Sequence, residues 1–135
     1  MPKDKVTTQT TFLTLEQILV IHEDQIDRYG GSHGIRELAL LESAVFRAQS
    51  TFAGEELYPT TFDKASALIH SLILNHAFVD GNKRTATASM LVFLEINNIA
   101  LKVNQNALVD TVLKIESKEM GIEEIAIWLK THSKK

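Results

Sequence analysis

The chain has 135 residues, of which 44% are hydrophobic, 23% charged and 7% aromatic, and these proportions are those of one ordinary globular domain. It contains no cysteine, so disulfides, zinc thiolates and thiol catalysis are excluded. With 17 acidic and 14 basic residues the formal net charge is -3, which argues against direct binding of nucleic acid.

The first dozen residues, MPKDKVTTQTTF, are polar, and we expect residues 1–12 to be a flexible segment of a single domain that spans residues 1–135. This start lacks the apolar stretch of a signal peptide. No apolar run in the chain approaches the roughly 18 residues of a membrane-spanning helix. The sequence therefore predicts a cytoplasmic protein that does not contact a membrane.

Helix signals begin at Thr14, which is followed three residues later by Gln17 in the spacing of a capping box. Apolar residues at three- and four-residue steps continue this helix to Gly30-Gly31, where glycine can take the left-handed turn that ends it. A second amphipathic helix is predicted over residues 38–48. The segment 49–60 breaks the rhythm and predicts a loop or a short hairpin.

A third helix is predicted to begin at Thr60 or Thr61 and to end before His76. A fourth helix follows Gly81-Asn82, and apolar residues surround it on nearly all sides, as expected for a central buried helix. After a short extended piece at 101–103, the two remaining helices are predicted to begin at the cap Asn104 and after Gly121. The predicted fold is therefore all-α, a compact bundle of about six helices around a central buried helix, with closing residues 133–135 outside it.

Chemically active side chains concentrate in the stretch HAFVDGNKRT, which leads into the fourth helix. A helix N-terminus presents unpaired N–H groups and partial positive charge, yet Lys83 and Arg84 occupy this first turn at a cost of about 0.3–1 kcal/mol each. An external anion shared by these groups would offset that cost. Gly81 allows close approach and Asn82 adds donors, so residues 81–85 predict a phosphate-binding site.

Two residues of the same loop offer the proton acceptor and the metal ligand that transfer of a phosphate group also requires. His76 can accept a proton from an attacking hydroxyl near neutral pH. Asp80 offers the single carboxylate that Mg²⁺ commonly takes from a protein. Phe78 is predicted to point inward and anchor the loop. The plainer interpretation is a turn with Asn82 as an N-cap and solvated surface charges, and we consider it weaker because all these residues fall within nine positions.

The string HAFVDGNKRTAT resembles the signature of the Fic/Doc family, His-x-Phe-x-Asp/Glu-Gly-Asn-x-Arg. GGSHGIRELALLESA and EELYPTTFDKASAL also resemble its Doc, or death-on-curing, branch, and the similarity fades after about Asn98. The resemblance implies a small helical fold that holds ATP at the central helix. It implies that His76 is the general base and Asp80 the Mg²⁺ ligand. The implied anion hole consists of Gly81, Asn82, Lys83 and Arg84, with Thr85 as a further phosphate-binding residue.

The resemblance also implies a subclass, a docking flap and a form of regulation. The adenylylating pattern has a second glycine where this chain has Lys83 and a second arginine where it has Thr87, whereas Doc-type members share the lysine and transfer the γ-phosphate. The Doc pattern has alanine where this chain has Gly81, so AMP transfer stays open. The family's inhibitory string Ser/Thr-x-x-x-Glu-Gly/Asn is absent, which implies restraint by a separate Phd-like antitoxin. The family's target-docking flap corresponds to Phe52, Gly54, Leu57 and Tyr58.

The remaining polar residues have simpler interpretations. His22 lies on an apolar helix face and is predicted to be a core or boundary histidine. Arg36 and Glu42 are predicted to form a surface or inter-helix pair, with orientation of the catalytic loop by Arg36 as the alternative. Three hypotheses for function follow: a Doc-like kinase that phosphorylates a Ser or Thr of the translation machinery, such as an elongation factor; an AMP-transferring enzyme; and a non-catalytic binding module.

Overall fold

The structure is a computed structural model that describes residues 9–134, and within this range the chain forms six α-helices. The prediction of an all-α fold with about six helices is confirmed. Two antiparallel pairs of two-residue strands and one 3₁₀ turn, Arg47–Gln49, complete the secondary structure. The elements are α1 Leu15–Tyr29, α2 Leu38–Phe46, β1 Thr51–Phe52, β2 Glu55–Glu56, α3 Thr61–Leu74, α4 Asn82–Ile96, β3 Ala100–Leu101, α5 Gln105–Glu116, α6 Ile122–Thr131 and β4 Ser133–Lys134.

N-capping side chains lie at the helix starts that the sequence predicts. Thr14 Oγ1 accepts the N–H of Gln17 at 3.1 Å, and Gln17 Oε1 accepts the N–H of Thr14 at 2.8 Å, so the capping box is complete. Asn104 Oδ1 likewise accepts the N–H of Ala107 at 2.8 Å. At the other end of α1, Gly30 has a φ of +89° and its N–H still bonds to Ile26 O. These contacts satisfy backbone groups that have no partner inside the helices.

The helix with the most buried residues is α3, and this differs from the prediction that the fourth helix is central. Nine of the residues of α3 are buried, against six in α4. The difference arises because α3 buries polar side chains that make it look partly solvated in the sequence. Lys64 binds Glu56, Ser66 donates to Ile122 O, and Ser71 accepts from Arg47. Helix α3 packs against α2, α4, α5 and α6, and α4 covers one of its sides.

Of the two alternatives for residues 49–60, the hairpin is the one that forms. Strands β1 and β2 pair with Thr51 opposite Glu56 and Phe52 opposite Glu55. Ala53 and Gly54 have φ values of +53° and +82°, the left-handed backbone that a two-residue hairpin turn needs. A second pair joins β3 to β4, so residues 133 and 134 are part of the fold, whereas the sequence indicates a loose end there.

The N-terminal segment is attached to the bundle at its last two residues. Residues 1–8 of the predicted flexible segment lie outside the described residues. Thr11 donates its N–H to Asn97 Oδ1 at 2.9 Å and accepts from Asn97 Nδ2 at 2.9 Å. Phe12 packs against Phe93 with ring centroids 6.1 Å apart. The predicted flexibility is therefore wrong for these two residues, because the end of α4 holds them.

Among the helices that the structure describes, none combines the length and the apolar character that crossing a bilayer would require.

Candidate active site

The loop between α3 and α4 is held by a segment that precedes it by about forty residues. Val79 N–H donates to Gly34 O at 3.0 Å, and the N–H groups of Arg36 and Glu37 donate to Ala77 O at 2.7 and 3.0 Å. Ile35 and Phe78 form an antiparallel bridge at the centre of this contact. The two stretches that carry the sequence resemblance, GGSHGIRE and HAFVDGN, therefore form one unit.

His76 begins this loop in the left-handed region, with a φ of +48°, and its side chain is exposed. Arg36 Nε donates to His76 O at 2.8 Å, and its Nη2 reaches both His76 O and Asn75 O. The guanidinium therefore satisfies carbonyl groups at the C-terminal end of α3, where the helix dipole favours a cation. Of the two interpretations of Arg36, the contact with the loop of His76 is the one seen in the structure, and among residues 9–134 Arg36 forms no ion pair with Glu42.

The Asp80 carboxylate is oriented by two backbone donors. Oδ1 accepts the N–H of Gly81 at 2.8 Å, and Oδ2 accepts the N–H of Ser32 at 3.2 Å. The bond from Ser32, then that from Gly81, lowers the pKa of Asp80 below its usual value, and the charge of Arg84 acts in the same direction. Hydrogen bonds to the charged form stabilise it, so this exposed carboxylate is ionised at neutral pH.

A magnesium ion fits the chemistry of this carboxylate. Within residues 9–134 no three His, Cys, Asp or Glu side chains come together as a cage for a metal ion. Mg²⁺ does not need such a cage, because it usually takes one or two carboxylates and fills its remaining positions with water and substrate phosphates. Asp80 supplies one ionised, exposed carboxylate beside a helix N-terminus. Asp80 is therefore a ligand that Mg²⁺ could take, with water and phosphate oxygens completing its coordination.

His22 supports the loop from beneath, a role that the sequence analysis did not assign to it. The prediction of a core or boundary histidine is confirmed, since His22 is 3% exposed. Its ring stacks on Phe78 with centroids 3.8 Å apart and planes 7° apart, and Nε2 donates to Asp80 O at 2.8 Å. Because buried polar atoms almost always have a hydrogen-bond partner, the predicted burial of His22 already indicated that its ring contacts a polar group.

Asn82 bonds to the loop instead of presenting its amide to a ligand. Its Oδ1 accepts the N–H of Phe78 at 2.9 Å, and its Nδ2 donates to Phe78 O at 3.0 Å. Both polar atoms of the side chain are therefore engaged by one residue of the loop. The amide thus fixes the backbone of Phe78, and only the second N–H of Nδ2 is left as the phosphate donor that the sequence predicts.

The backbone at the start of α4 remains free for an anion. The first helical bond runs from Thr85 N–H to Gly81 O at 2.9 Å, and within the described residues no acceptor bonds to the N–H groups of residues 82–84. Gly81 has a φ of +74°, and a Cβ atom there would lie 2.9 Å from Ile26 Cδ1. The left-handed backbone therefore favours glycine at this position, and a Cβ atom would displace only the end of the Ile26 side chain. The free N–H groups form the donor set expected of an anion site.

The two cations of the first turn have partners within the chain, which corrects the argument that they require an external anion. Lys83 Nζ lies 3.0 Å from Glu116 Oε2. Arg84 Nη2 donates to Gly30 O at 2.9 Å, and its Nη1 is 3.4 Å from Gln25 O. Arg84 thus binds carbonyls at the C-terminal end of α1, where a cation is favourable. Contacts with α1 and α5 therefore offset the unfavourable interaction of Lys83 and Arg84 with the dipole of α4.

Thr85 does not reach the site. Its side chain is 0% exposed and faces the interior, and its N–H is engaged by Gly81 O. Neither polar group can contact a phosphate at the helix start, so the prediction that Thr85 binds phosphate is wrong. Position 85 lies just over one turn beyond Gly81, where the first intrahelical bond has already formed.

The hairpin exposes most of the residues predicted for target docking. Phe52 and Leu57 are 74% and 52% exposed, and Gly54 is exposed at the turn. Tyr58 is half-buried and accepts a hydrogen bond from Arg47 Nε at 3.0 Å, so it anchors the hairpin. The buried ammonium of Lys64 also holds this segment, through Glu56 Oε1 at 2.7 Å and Tyr58 O.

An apolar groove of about 740 Å³ runs between α1, α4 and α5, and Lys83 and Arg84 are among the residues that line it. The other residues that line it are Gln25, Tyr29, Thr87, Ala88, Leu91, Val103, Gln105, Leu108, Val109, Val112 and Leu113.

Residues 12–94, which include the paired segments and the loop, match the model of the Fic/DOC family. The chain belongs to the Fic/DOC family. Among curated relatives of this Fic/DOC chain, the "Toxin Doc" of Mycolicibacterium smegmatis is 40% identical over 100 residues, covering 73% of this chain and 77% of the relative. The "Protein kinase doc" of Escherichia phage P1 is 29% identical over 111 residues, covering 82% and 86%.

Proposed function

We propose that this Fic/DOC chain is a toxin that transfers the γ-phosphate of ATP to a Ser or Thr hydroxyl of a target protein. The observation that carries the proposal is the convergence of three groups on one loop. These are the exposed imidazole of His76, the ionised carboxylate of Asp80 and the free N–H groups at the start of α4. The names of the two relatives, a toxin and a protein kinase, support this choice among the activities of the family.

His76 has the position and chemistry of the general base. Histidine changes charge near neutral pH and can accept the proton of a hydroxyl as that oxygen bonds to phosphorus. In the proposed reaction the hydroxyl oxygen forms the new bond to the γ-phosphorus, the bond to the β-phosphate oxygen breaks, ADP leaves, and the proton passes to His76. Arg36 holds the His76 carbonyl and thereby fixes the backbone that carries the exposed imidazole.

The N-terminus of α4 is proposed to hold the phosphates. The N–H groups of residues 82–84 provide preorganised donors, and Lys83 and Arg84 add positive charge beside them. Asp80 would hold Mg²⁺, which when bound neutralises charge on the phosphate oxygens. Little covalent chemistry is left to the protein in phosphoryl transfer, so positioning and electrostatic stabilisation carry most of the catalysis.

Docking and regulation follow from the same proposal. A protein substrate would contact the hairpin through Phe52 and Leu57, whose side chains expose apolar surface. We propose that the substrate belongs to the translation machinery, possible targets including an elongation factor. A Phd-like antitoxin encoded with the toxin would restrain the activity. A protein of this kind acts in the cytoplasm.

Gly81 favours a second candidate, transfer of AMP. The Doc pattern has alanine at this position, whereas this chain has the glycine of the general family signature. Lys83 and Thr87 favour the kinase, because the adenylylating pattern has glycine and arginine in their places. The two reactions differ in which phosphorus atom meets the hydroxyl, and this difference can be measured directly.

The test supplies the protein with ATP labelled at the α or the γ position, Mg²⁺ and a cell lysate. Label that enters protein from γ-labelled ATP supports the kinase, and label from α-labelled ATP alone replaces it with AMP transfer. His76→Ala should abolish transfer and leave the affinity for Mg·ATP nearly unchanged. Thermal stabilisation by Mg·ATP without transfer of either label would indicate a non-catalytic binding module.

A further inference from the structure

An ion pair connects the anion-binding end of α4 to the last residue of α5. Lys83 Nζ and Glu116 Oε2 are 3.0 Å apart, and the two side chains remain 45% and 35% exposed. The residues are 33 positions apart in sequence, so the contact depends on the tertiary packing of the two helices. The pair therefore brings a carboxylate from α5 to the cation that stands beside the free N–H groups of α4.

The dipoles of α4 and α5 favour neither of the two charges in this pair. Lys83 lies in the first turn of α4, where a cation is unfavourable, and Glu116 is the final residue of α5, where an anion is unfavourable. Each charge therefore offsets part of the unfavourable interaction between the other charge and its helix dipole. An exposed ion pair adds little to stability by itself, because water and salt screen it. The pair is therefore weak enough for a competing anion to break.

We propose that Glu116 sets the affinity of the α4 N-terminus for phosphate by competing with it for the ammonium group of Lys83. This inference rests on the proposed function, since it takes the α4 N-terminus as the phosphate site. Lys83 carries its charge on a flexible four-carbon chain and can point toward either acceptor. While it bonds to Glu116, the ammonium is drawn toward α5, and the carboxylate repels an incoming anion.

Arg84 does not face the same choice. Its guanidinium bonds to Gly30 O and Gln25 O, which are neutral carbonyls of α1 and do not repel phosphate. Of the two cations in the first turn, Lys83 is thus the one paired with a negatively charged competitor. Removal of the charge at position 116 should release Lys83 and leave Arg84 and the backbone N–H groups in place.

The experiment measures binding of pyrophosphate and of Mg·ATP by isothermal titration calorimetry at one low ionic strength. Glu116→Gln should tighten Kd for both probes by about two- to five-fold, the range that an exposed ion pair commands. Asp110→Asn is the matched control, because Asp110 is an exposed acid on the same helix and forms no ion pair within residues 9–134. It should leave both Kd values unchanged. In a Lys83→Met background, Glu116→Gln should change both Kd values less than it does in the wild type, because the competition for Lys83 is gone and only the repulsion between the carboxylate and the anion remains.

The possible results separate this inference from the proposed function. Equal affinities of wild type and Glu116→Gln for pyrophosphate overturn the role of Glu116 and leave the phosphate site intact. An equal gain from Asp110→Asn also overturns it, since net charge would then explain the effect. If neither probe binds to any variant, the phosphate site itself is refuted and the competition with it.

Discussion

Replacement of Asn82 by alanine separates two roles that the sequence alone does not distinguish. If the side chain served as a phosphate ligand, its loss would weaken nucleotide binding and leave the ligand-free fold unchanged. In the structure both of its polar atoms bond to Phe78. Asn82→Ala should therefore destabilise the protein in the absence of any nucleotide.

The size of this effect follows from the two bonds that are lost. Each joins neutral, partly buried groups at 2.9 and 3.0 Å, and such bonds contribute about 0.5–1.5 kcal/mol each. Asn82→Ala should thus lower the free energy of unfolding by about 1–3 kcal/mol. Urea unfolding measures this quantity, and amide hydrogen exchange at Phe78 should accelerate because its N–H loses its acceptor.

Asn106→Ala provides the matched control, since Asn106 is an exposed residue in the first turn of α5 and its amide bonds to nothing in residues 9–134. A surface change of this kind should shift the unfolding free energy by at most about 0.5 kcal/mol. Stability of Asn82→Ala equal to wild type, with a loss confined to Mg·ATP affinity, would refute the structural role and restore Asn82 as a phosphate ligand.

Two further predictions concern the loop and the hairpin side of the molecule. Arg36→Met removes the side-chain donors that hold His76 O, so kcat should fall roughly ten-fold with little change in KM for ATP. Arg36→Lys should recover part of this loss. Steady-state kinetics in which KM rises instead would contradict the positioning role of Arg36. Burial, and then the charge of Arg47, lowers the pKa of His70. As the pH falls below about 6.5, the His70 imidazole is therefore protonated in the unfolded protein before it is protonated in the folded protein. The stability that the neutral imidazole contributes above about pH 6.5 is lost as the pH falls further, through the pKa of the folded state. His70→Gln should lose less thermal stability than wild type between about pH 7.5 and pH 5.5, and equal losses would exclude His70.

The sequence was sufficient for the helices because their boundaries depend on local chemistry. A capping side chain, its N–H partner and the glycine that ends a helix lie within a few residues of one another, as Thr14, Asn104 and Gly30 illustrate. The position of His76 and Asp80 between two helices could be predicted for the same reason. The motif fills a short loop, and its residue types indicate the chemistry without knowledge of the remaining fold.

The partners of Lys83 and Arg84 could not be predicted in this way. The dipole of α4 predicts that both cations are unfavourable, and this local statement is correct. It omits the carbonyls at the end of α1 and the carboxylate of Glu116, which tertiary packing brings within hydrogen-bond distance. A local energetic conflict can therefore indicate a contact, but the sequence does not reveal whether a ligand or another part of the chain provides it.

The residues of the site are of two kinds, those that support the loop between α3 and α4 and those that the loop exposes, and the division has a mechanistic consequence. Arg36, His22 and Asn82 bond to the backbone of the loop and leave its reactive groups uncovered. The imidazole of His76 and the carboxylate of Asp80 face outward. Because the supporting bonds are made before any substrate arrives, the protein need not spend binding energy on ordering the loop. Substitution of a supporting residue should therefore change the geometry of both reactive groups together, whereas substitution of His76 or Asp80 should remove one function and leave the loop in place.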